Sequence, residues 1–258
     1  MKTATIDLNA DAGESDGAWT LGNDAALFPF LTSVNVTCGF HAGDPLTLMK
    51  TITQAQQHGL GIGAHPSSPA LPGSGRRLLE ASPDQVSADV LYQVSALGGM
   101  CRTAGVPLRH VKAHGALSTR AWTHAPTAAA LARATSDFDL LLPLVVLPAT
   151  LLESEARRLE RPVIPETFPE HASDGRPAPR SMPGPSIHGP QEAARRALML
   201  VKEGRVEAIG GGFFEFQLDT LCLHGDNPEA VPIAHAVRAA PEVSGVQVQP
   251  FAIPEVHV

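Results

Sequence analysis

Short apolar runs alternate with amphipathic helical stretches seven or eight times along this sequence, and this alternation constrains the fold more than any other feature. The runs have the length and continuity of parallel strands that are covered by helices on both faces. Helix-start signals such as Asp44-Pro45 and the capping box at Ser82 stand between them. The predicted strands are residues 4–8, 34–37, 61–64, 110–112, 141–146, 162–164, 206–209 and 221–223. The repeated βα pattern favours a closed (β/α) barrel over an open doubly wound sheet, which stays the alternative.

Composition indicates an acidic globular protein. The 258 residues carry 26 acidic and 19 basic side chains, a net charge of −7, which argues against a basic nucleic-acid-binding surface. The longest apolar run, residues 140–152, contains two prolines and is too short to span a bilayer. The N-terminus lacks the apolar stretch of a secretory signal. The three cysteines are odd in number and far apart in the sequence, which argues against a disulfide scaffold. We expect residues 1–258 to form one domain of a cytoplasmic protein that binds neither nucleic acid nor membrane.

Polar residues follow nearly every predicted strand at its carboxyl end. In a (β/α) barrel these ends meet on one face, where catalytic residues collect. The sequence therefore predicts an active site that is assembled from many separate segments. Its candidate residues are Asn9, Asp11, Glu14, His41, Asp44, His65, Lys112, His114, Glu166, His224 and Asp226.

Three of these residues have the chemistry of a metal site. Asp11, His41 and His65 follow successive strands, and one carboxylate with two imidazoles can hold a divalent ion while leaving positions open for water and substrate. The alternative is that both histidines only form hydrogen bonds in a polar pocket.

Lys112 and His114 are two residues apart, so on a strand they would face the same side. Lys112 can neutralise a substrate carboxylate or a developing oxyanion, and His114 can move a proton near neutral pH. The alternative for Lys112 is an ion pair with Glu or Asp at the rim.

The other candidates each keep two interpretations. Glu166 is either a base or an anchor for the loop at residues 169–190, which is an active-site loop or a disordered insertion. Asp226 is either a base or the cap of a helix that starts at Asn227-Pro228. Arg76 lies in a glycine-containing loop that can bind an anion or stay solvated. The sequence contains no GxxxxGK[ST] motif, so it predicts no P-loop for a nucleotide.

Five segments spread over nearly the whole chain resemble the LamB/YcsF family, in the order that the family has them. They are Asp7-Leu8-Asn9-Ala10-Asp11-Ala12-Gly13-Glu14, Cys38-Gly39-Phe40-His41-Ala42-Gly43-Asp44, Gly63-Ala64-His65-Pro66-Ser67, Arg109-His110-Val111-Lys112 with His114-Gly115, and Cys222-Leu223-His224-Gly225-Asp226.

The resemblance implies a seven-stranded TIM-like (β/α) barrel of the glycoside hydrolase/deacetylase superfamily. It implies a cytoplasmic enzyme that uses ATP, together with partner subunits B and C, to hydrolyse the lactam of 5-oxo-L-proline to L-glutamate. Deacetylase relatives hold a metal with an Asp-His-His set, which Asp11, His41 and His65 match in order. We expect catalytic roles for Asp11, Lys112, His114, Glu166 and Asp226, and substrate binding by Asn9, His41, His65, Arg76 and His224.

The chain departs from the family pattern in its loops. Ser68-Pro69-Ala70 replaces Phe-Pro-Asp, Ser118 stands where the family has Tyr, and the segment after Glu166 lacks an Asp-Arg pair and a Tyr. These changes alter the walls of the expected substrate pocket. They leave two alternatives open: a metal-dependent hydrolase or deacetylase of another small amide that needs no ATP, and a non-catalytic regulatory protein of the assembly.

Overall fold

The computed structural model describes residues 5–168, 189–208, 211–225 and 229–253. The expected active-site loop at residues 169–190 lies almost wholly outside these ranges, as do Asp226 and the predicted helix start at Asn227-Pro228. In the part of the chain that the structure describes, no helix combines the length and apolar character needed to cross a membrane.

Seven parallel strands close into a barrel, as the family resemblance implies. The barrel strands are β1 to β6 and β9 among the strands of the described residues, which are β1 (Thr5–Ala12), β2 (Ser33–Thr37), β3 (Gly61–His65), β4 (Leu108–Val111), β5 (Leu144–Val146), β6 (Val163–Thr167), β7 (Arg205–Glu207), β8 (Phe213–Glu215), β9 (Thr220–Leu223) and β10 (Gln247–Val248). β1 to β6 pair in chain order, β9 follows β6, and β9 pairs with β1 to close the ring. β10 extends the sheet beside the first residues of β1.

Helices between the strands cover the outside of the barrel. They are α1 (Asp24–Leu27), α2 (Pro45–Gln57), α3 (Pro83–Thr103), α4 (Gly115–Ala121), α5 (Ala125–Phe138), α6 (Leu151–Arg158), α7 (Pro190–Glu203) and α8 (Ala230–Val243). The predicted start signals are confirmed: the Asp44 side chain accepts from the amides of Leu46 and Thr47, and Ser82 forms a capping box with Gln85. These caps fix where α2 and α3 leave the strand ends.

One predicted barrel strand is wrong. The sequence predicts a barrel strand at residues 206–209, but β7 pairs antiparallel with β8 in a separate two-stranded hairpin. Gly211 and Gly212 have φ of +99° and +90°, which side-chain-bearing residues rarely adopt, and the amide of Ala208 donates to the carbonyl of Gly212. Gly211 and Gly212 therefore lead the chain back into β8, and it reaches the barrel again only at β9.

The inner face of the barrel is polar. Along β1, Asp7, Asn9 and Asp11 alternate with apolar residues, so that all three point to the same side of the strand. The apolar residues between them, Leu8 and Ala10, belong to the main core beneath the helices. The interior thus carries hydrogen-bonding groups along its length, where most (β/α) barrels have branched aliphatic side chains.

Candidate active site

A buried lysine joins two carboxylates at the carboxyl end of the barrel. Lys112, directly after β4, places its Nζ 2.8 Å from Oε1 of Glu166 and 3.3 Å from Oδ1 of Asp11. The ammonium also donates toward Oδ1 of Asn9 and lies 3.1 Å from Sγ of Cys222. Its three protons are therefore shared among groups of the protein, and the ion-pair alternative is the arrangement that the structure shows.

Two asparagines connect the strands around this lysine. Nδ2 of Asn35 donates to Oδ1 of Asn9 at 2.7 Å and to Oδ1 of Asp11 at 3.0 Å, while its own Oδ1 faces Nε2 of His110 at 2.8 Å. Nδ2 of Asn9 donates to Glu166 and to Thr220. Because each amide has donors and acceptors on opposite sides, the network admits one orientation of each. It fixes Oδ1 of Asp11 and leaves Oδ2 turned toward the histidines.

Three acceptor atoms converge beside Asp11. Nε2 of His65 lies 3.1 Å from Oδ2 of Asp11, and Nδ1 of His114 lies 2.9 Å from Nε2 of His65 and 4.0 Å from Oδ2 of Asp11. The other nitrogen of each histidine faces a backbone carbonyl, Lys112 O at 2.7 Å and Ser74 O at 2.9 Å. A carbonyl only accepts, so those nitrogens carry the protons. In the neutral tautomers, the two converging nitrogens, Nε2 of His65 and Nδ1 of His114, each carry a lone pair instead of a proton.

Gly75 lets the loop that follows β3 lie against these histidines. Ser74 has φ of +48°, unusual for a residue with a side chain, and this directs its carbonyl to His114. A Cβ on Gly75 would lie 2.4 Å from Oγ of Ser67, 2.8 Å from the ring of His114 and 2.9 Å from His41. The loop therefore requires glycine at this position to hold the imidazoles in place.

His41 forms a second layer of the site. Its ring stacks on His114 with centroids 4.0 Å apart, and both rings are buried. Among the described residues, neither ring nitrogen of His41 has a hydrogen-bond partner. Ligand atoms of Glu14, His41 and His114 also lie within 4.8 Å of one another.

Burial and charge set the protonation states. Burial alone would raise the pKa of Asp11, but His65 and Lys112 hold that pKa well below its usual value. Burial alone would lower the pKa of Lys112, but Asp11 and Glu166 help to hold it well above its usual value. Burial, followed by the charge of His65, lowers the pKa of His114 to about 3. The site at neutral pH thus holds an ionised Asp11, a charged Lys112 and a neutral His114.

The predicted residues separate into those that meet and those that do not. Asn9, Asp11, His41, His65, Lys112, His114 and Glu166 form one connected buried cluster. Arg76 is exposed at its rim, where its charge contributes to lowering the pKa of both His41 and His114. His224 stacks on Phe168 at 5.7 Å, and Lys112 lies over the same phenyl ring. Asp226 lies outside the described residues.

The ligand group of the structure differs from the predicted one by one histidine. The sequence predicts Asp11, His41 and His65, whereas Asp11 and His65 come within ligand spacing of His114, and His41 does so only with Glu14 and His114. The chemistry of this set, one carboxylate and two imidazoles whose far nitrogens are hydrogen-bonded, fits a divalent ion.

The site residues predicted from the sequence do not include Asn35 or His110, and the prediction for Cys222 does not include its contact with Lys112. Asn35 and His110 lie inside predicted strands, and a polar residue at every second position of β1 and β2 is the signal that could have found the former. The sequence indicates a small buried residue at Cys222, which it is, but its sulfur also touches Lys112. Burial raises the pKa of this thiol well above its usual value, so it stays protonated and is not a nucleophile.

A sequence model of the LamB/YcsF family matches residues 6–255 of the chain. The chain belongs to the LamB/YcsF family. A protein from Thermus thermophilus, named as the A subunit of 5-oxoprolinase, is 52% identical over 248 residues, which are 95% of this chain and 99% of that protein. One of the same name from Deinococcus radiodurans is 49% identical over 253 residues, 95% of this chain and 96% of that protein.

Solved structures support the same family and fold. The crystal structure of the lactam utilization protein from Thermus thermophilus superposes with a TM-score of 0.91 at 50% identity, over 96% of this chain and all of that one. A peptidoglycan N-acetylglucosamine deacetylase domain from Eubacterium rectale reaches a TM-score of 0.51 at 12% identity, over 99% of this chain and 93% of that one. The second similarity concerns the fold alone.

Proposed function

We propose that this protein is the A subunit of an ATP-dependent 5-oxoprolinase, which hydrolyses the lactam of 5-oxo-L-proline to L-glutamate. The observation that carries the proposal is the match over 95% of the chain, at 52% identity, to a relative named as the A subunit of 5-oxoprolinase. The buried polar cluster at the barrel mouth provides a place for the chemistry.

The reaction adds water across the amide bond of the ring. The water oxygen bonds to the carbonyl carbon, the carbon–nitrogen bond breaks, the ring nitrogen takes a proton, and the carbon becomes a carboxylate. An amide is a poor electrophile, and ATP makes it reactive because phosphoryl transfer to the lactam oxygen, with loss of the proton on the ring nitrogen, gives an imidate phosphate. Water adds to its carbon, the carbon–nitrogen bond breaks to leave an acyl phosphate, and a second water hydrolyses this acyl phosphate to the carboxylate and inorganic phosphate. The remaining work of the protein is to hold the ring, place the water and accept its proton.

The converging acceptors supply the base. A water molecule between Oδ2 of Asp11, Nε2 of His65 and Nδ1 of His114 can donate to any of them, because all three atoms have lone pairs there. Both imidazoles are held by backbone carbonyls, so they need no reorientation before they take a proton. A divalent ion held by the same three residues would supply Lewis-acid polarisation of the reacting oxygen.

Lys112 and Glu166 act on the site by fixing its charge. The pKa of Lys112 is held above its usual value by Asp11 and Glu166 despite its burial, so the lysine stays protonated and is not the base. Its contacts keep Asp11 ionised and oriented. We assign Lys112 and Glu166 to positioning and electrostatic support, and Arg76 at the exposed rim to the carboxylate of the substrate.

Partner subunits B and C are expected to provide the nucleotide site. The sequence contains no GxxxxGK[ST] motif, which supports placing ATP on the partners, in part or wholly.

The cysteines support a cytoplasmic location, because Cys38, Cys101 and Cys222 are free, buried thiols.

The test is coupled turnover with the intact assembly. The purified chain is mixed with its B and C partners, ATP and 5-oxo-L-proline, and glutamate and ADP are followed together. The proposal predicts equal release of both, and none when this chain is omitted. If the same partners release both products with the A subunit of a relative but not with this chain, the proposal is wrong and the ATP-independent amide hydrolase becomes the function to test.

A further inference from the structure

We propose that Asp11, His65 and His114 form a resident binding site for one divalent transition-metal ion of the Zn²⁺ or Co²⁺ type. This inference goes beyond the proposed function and does not depend on the substrate, the partners or ATP. It differs from the set predicted from the sequence, in which His41 stands in the place of His114.

The spacing of the three atoms is that of ligands. The separations of 2.9, 3.1 and 4.0 Å bracket the edge of about 3.4 Å that a tetrahedron has when its metal–ligand bonds are about 2.05 Å long. One point can therefore lie at bonding distance from all three atoms after shifts of a few tenths of an ångström.

The hydrogen bonds around the three residues are those of metal ligands. Each imidazole gives its far N–H to a backbone carbonyl, which fixes the tautomer that has its lone pair directed at the common point. The other oxygen of Asp11 accepts from Asn35 and Lys112, so that only Oδ2 faces the histidines. A ligating carboxylate is usually held in this way by neighbouring donors.

The charge balance also admits a cation. Lys112 lies closer to Glu166, at 2.8 Å, than to Asp11, at 3.3 Å, and thus Glu166 offsets its charge. The negative charge of Asp11 is then available to an ion. Asp11 is also the most accessible of the three ligands, with 21% of its side chain exposed, so an ion can enter from the mouth of the barrel. Two nitrogens and one carboxylate oxygen suit Zn²⁺ or Co²⁺ better than Mg²⁺ or Ca²⁺.

The experiment measures metal binding by the full-length chain alone. The protein is stripped with a chelator and titrated with Zn²⁺ by calorimetry, and with Co²⁺ by its visible absorption, which reports the ligand field. We expect one ion per chain, a Co²⁺ spectrum of low coordination number, and a higher Tm with Zn²⁺.

Variants separate this ligand set from its alternatives. His114→Gln keeps a donor for Ser74 O, and we expect it to weaken Zn²⁺ by more than about 100-fold, since loss of a supporting group alone costs about 10–100-fold. His41→Ala should keep one ion per chain, and His58→Ala, which removes an exposed histidine, controls for surface binding. Circular dichroism confirms that each variant is folded.

Two results would overturn the proposal. The wild-type chain could take up no ion beyond a surface level that all variants share, which would mean that the three side chains only form hydrogen bonds within the polar pocket. Alternatively, His41→Ala could lose the ion while His114→Gln keeps it, which would restore the set predicted from the sequence. Neither result bears on 5-oxoproline turnover, which is measured separately with the partner subunits and ATP.

Discussion

Asp7 lies at the inner face of β1 with three hydroxyl groups around its carboxylate. Thr32, Ser33 and Thr220 all donate to it, and the side chain is fully buried. Burial nevertheless dominates over these hydrogen bonds and raises the pKa of Asp7 to about 6. The folded protein therefore binds this proton more tightly than the unfolded chain.

The raised pKa of Asp7 makes the free energy of unfolding depend on pH. Between the unfolded pKa of 3.8 and the folded value of about 6, the native state holds more protons, so the contribution of Asp7 to stability falls as pH rises through this window. Asp7→Asn carries no charge at any pH in this range. Its free energy of unfolding, relative to that of the wild type, should therefore rise by up to about 3 kcal/mol between pH 4 and pH 7. Denaturant unfolding of both proteins across this range measures the difference. A constant difference would mean that Asp7 titrates normally.

Lys112 is the buried cation on which two carboxylates depend. Lys112→Met keeps the volume but leaves Asp11 and Glu166 facing each other without a counter-charge. We expect the free energy of unfolding to fall by about 3–5 kcal/mol and turnover to fall about 100-fold or more. Lys50→Met, at an exposed position of α2, is the control and should change neither quantity. Wild-type turnover in Lys112→Met would show that the charge of the lysine is not needed for catalysis.

At the scale of elements, the loop after β3 determines where the histidines lie. Gly75 and Gly59 have φ of +67° and +68°, but only Gly75 has atoms where a Cβ would stand. Gly59→Ala thus carries only the left-handed backbone penalty of about 1–2 kcal/mol. Gly75→Ala carries this penalty and also displaces His114 and His41, so it should lose more stability and most of the glutamate release. Equal unfolding free energies for the two variants would show that the loop yields without disturbing the histidines.

The elements also show what a sequence can predict. Asp44 and Ser82 mark the starts of α2 and α3 because capping depends on a few adjacent residues. The hairpin of β7 and β8 resembles a barrel strand in the sequence because an apolar run has the same pattern in either place. That His114, rather than His41, joins Asp11 and His65 could not be predicted, since it depends on how the loop at Ser74 packs across the strand ends.

At the scale of the whole molecule, the segment after β10 packs its Phe251 against barrel strands. Beyond β10, Phe251 is buried against Val145 and Ile164, and its ring meets that of His110 edge to face. His110 in turn faces Asn35, which holds Asp11. A chain of contacts thus connects the last described residues to the active site.

Phe251→Ala tests this packing. We expect it to lower the free energy of unfolding by about 3 kcal/mol, because it leaves a cavity beside His110. Phe213→Ala removes the same ring from an exposed position in β8 and should cost far less. Similar thermal unfolding curves for both variants would show that the tail does not stabilise the barrel.

The polar residues at the mouth of this barrel carry the chemistry of the proposed function. The most direct test is glutamate release by Asp11→Asn in the complete assembly with B and C subunits, ATP and 5-oxo-L-proline. Asparagine keeps the size and one oxygen of the side chain but removes the charge that faces His65 and Lys112. We expect a folded variant that still assembles and releases less than about a hundredth of the wild-type glutamate. Wild-type glutamate release by this variant would mean that Asp11 takes no part in catalysis and would favour a non-catalytic role for the chain.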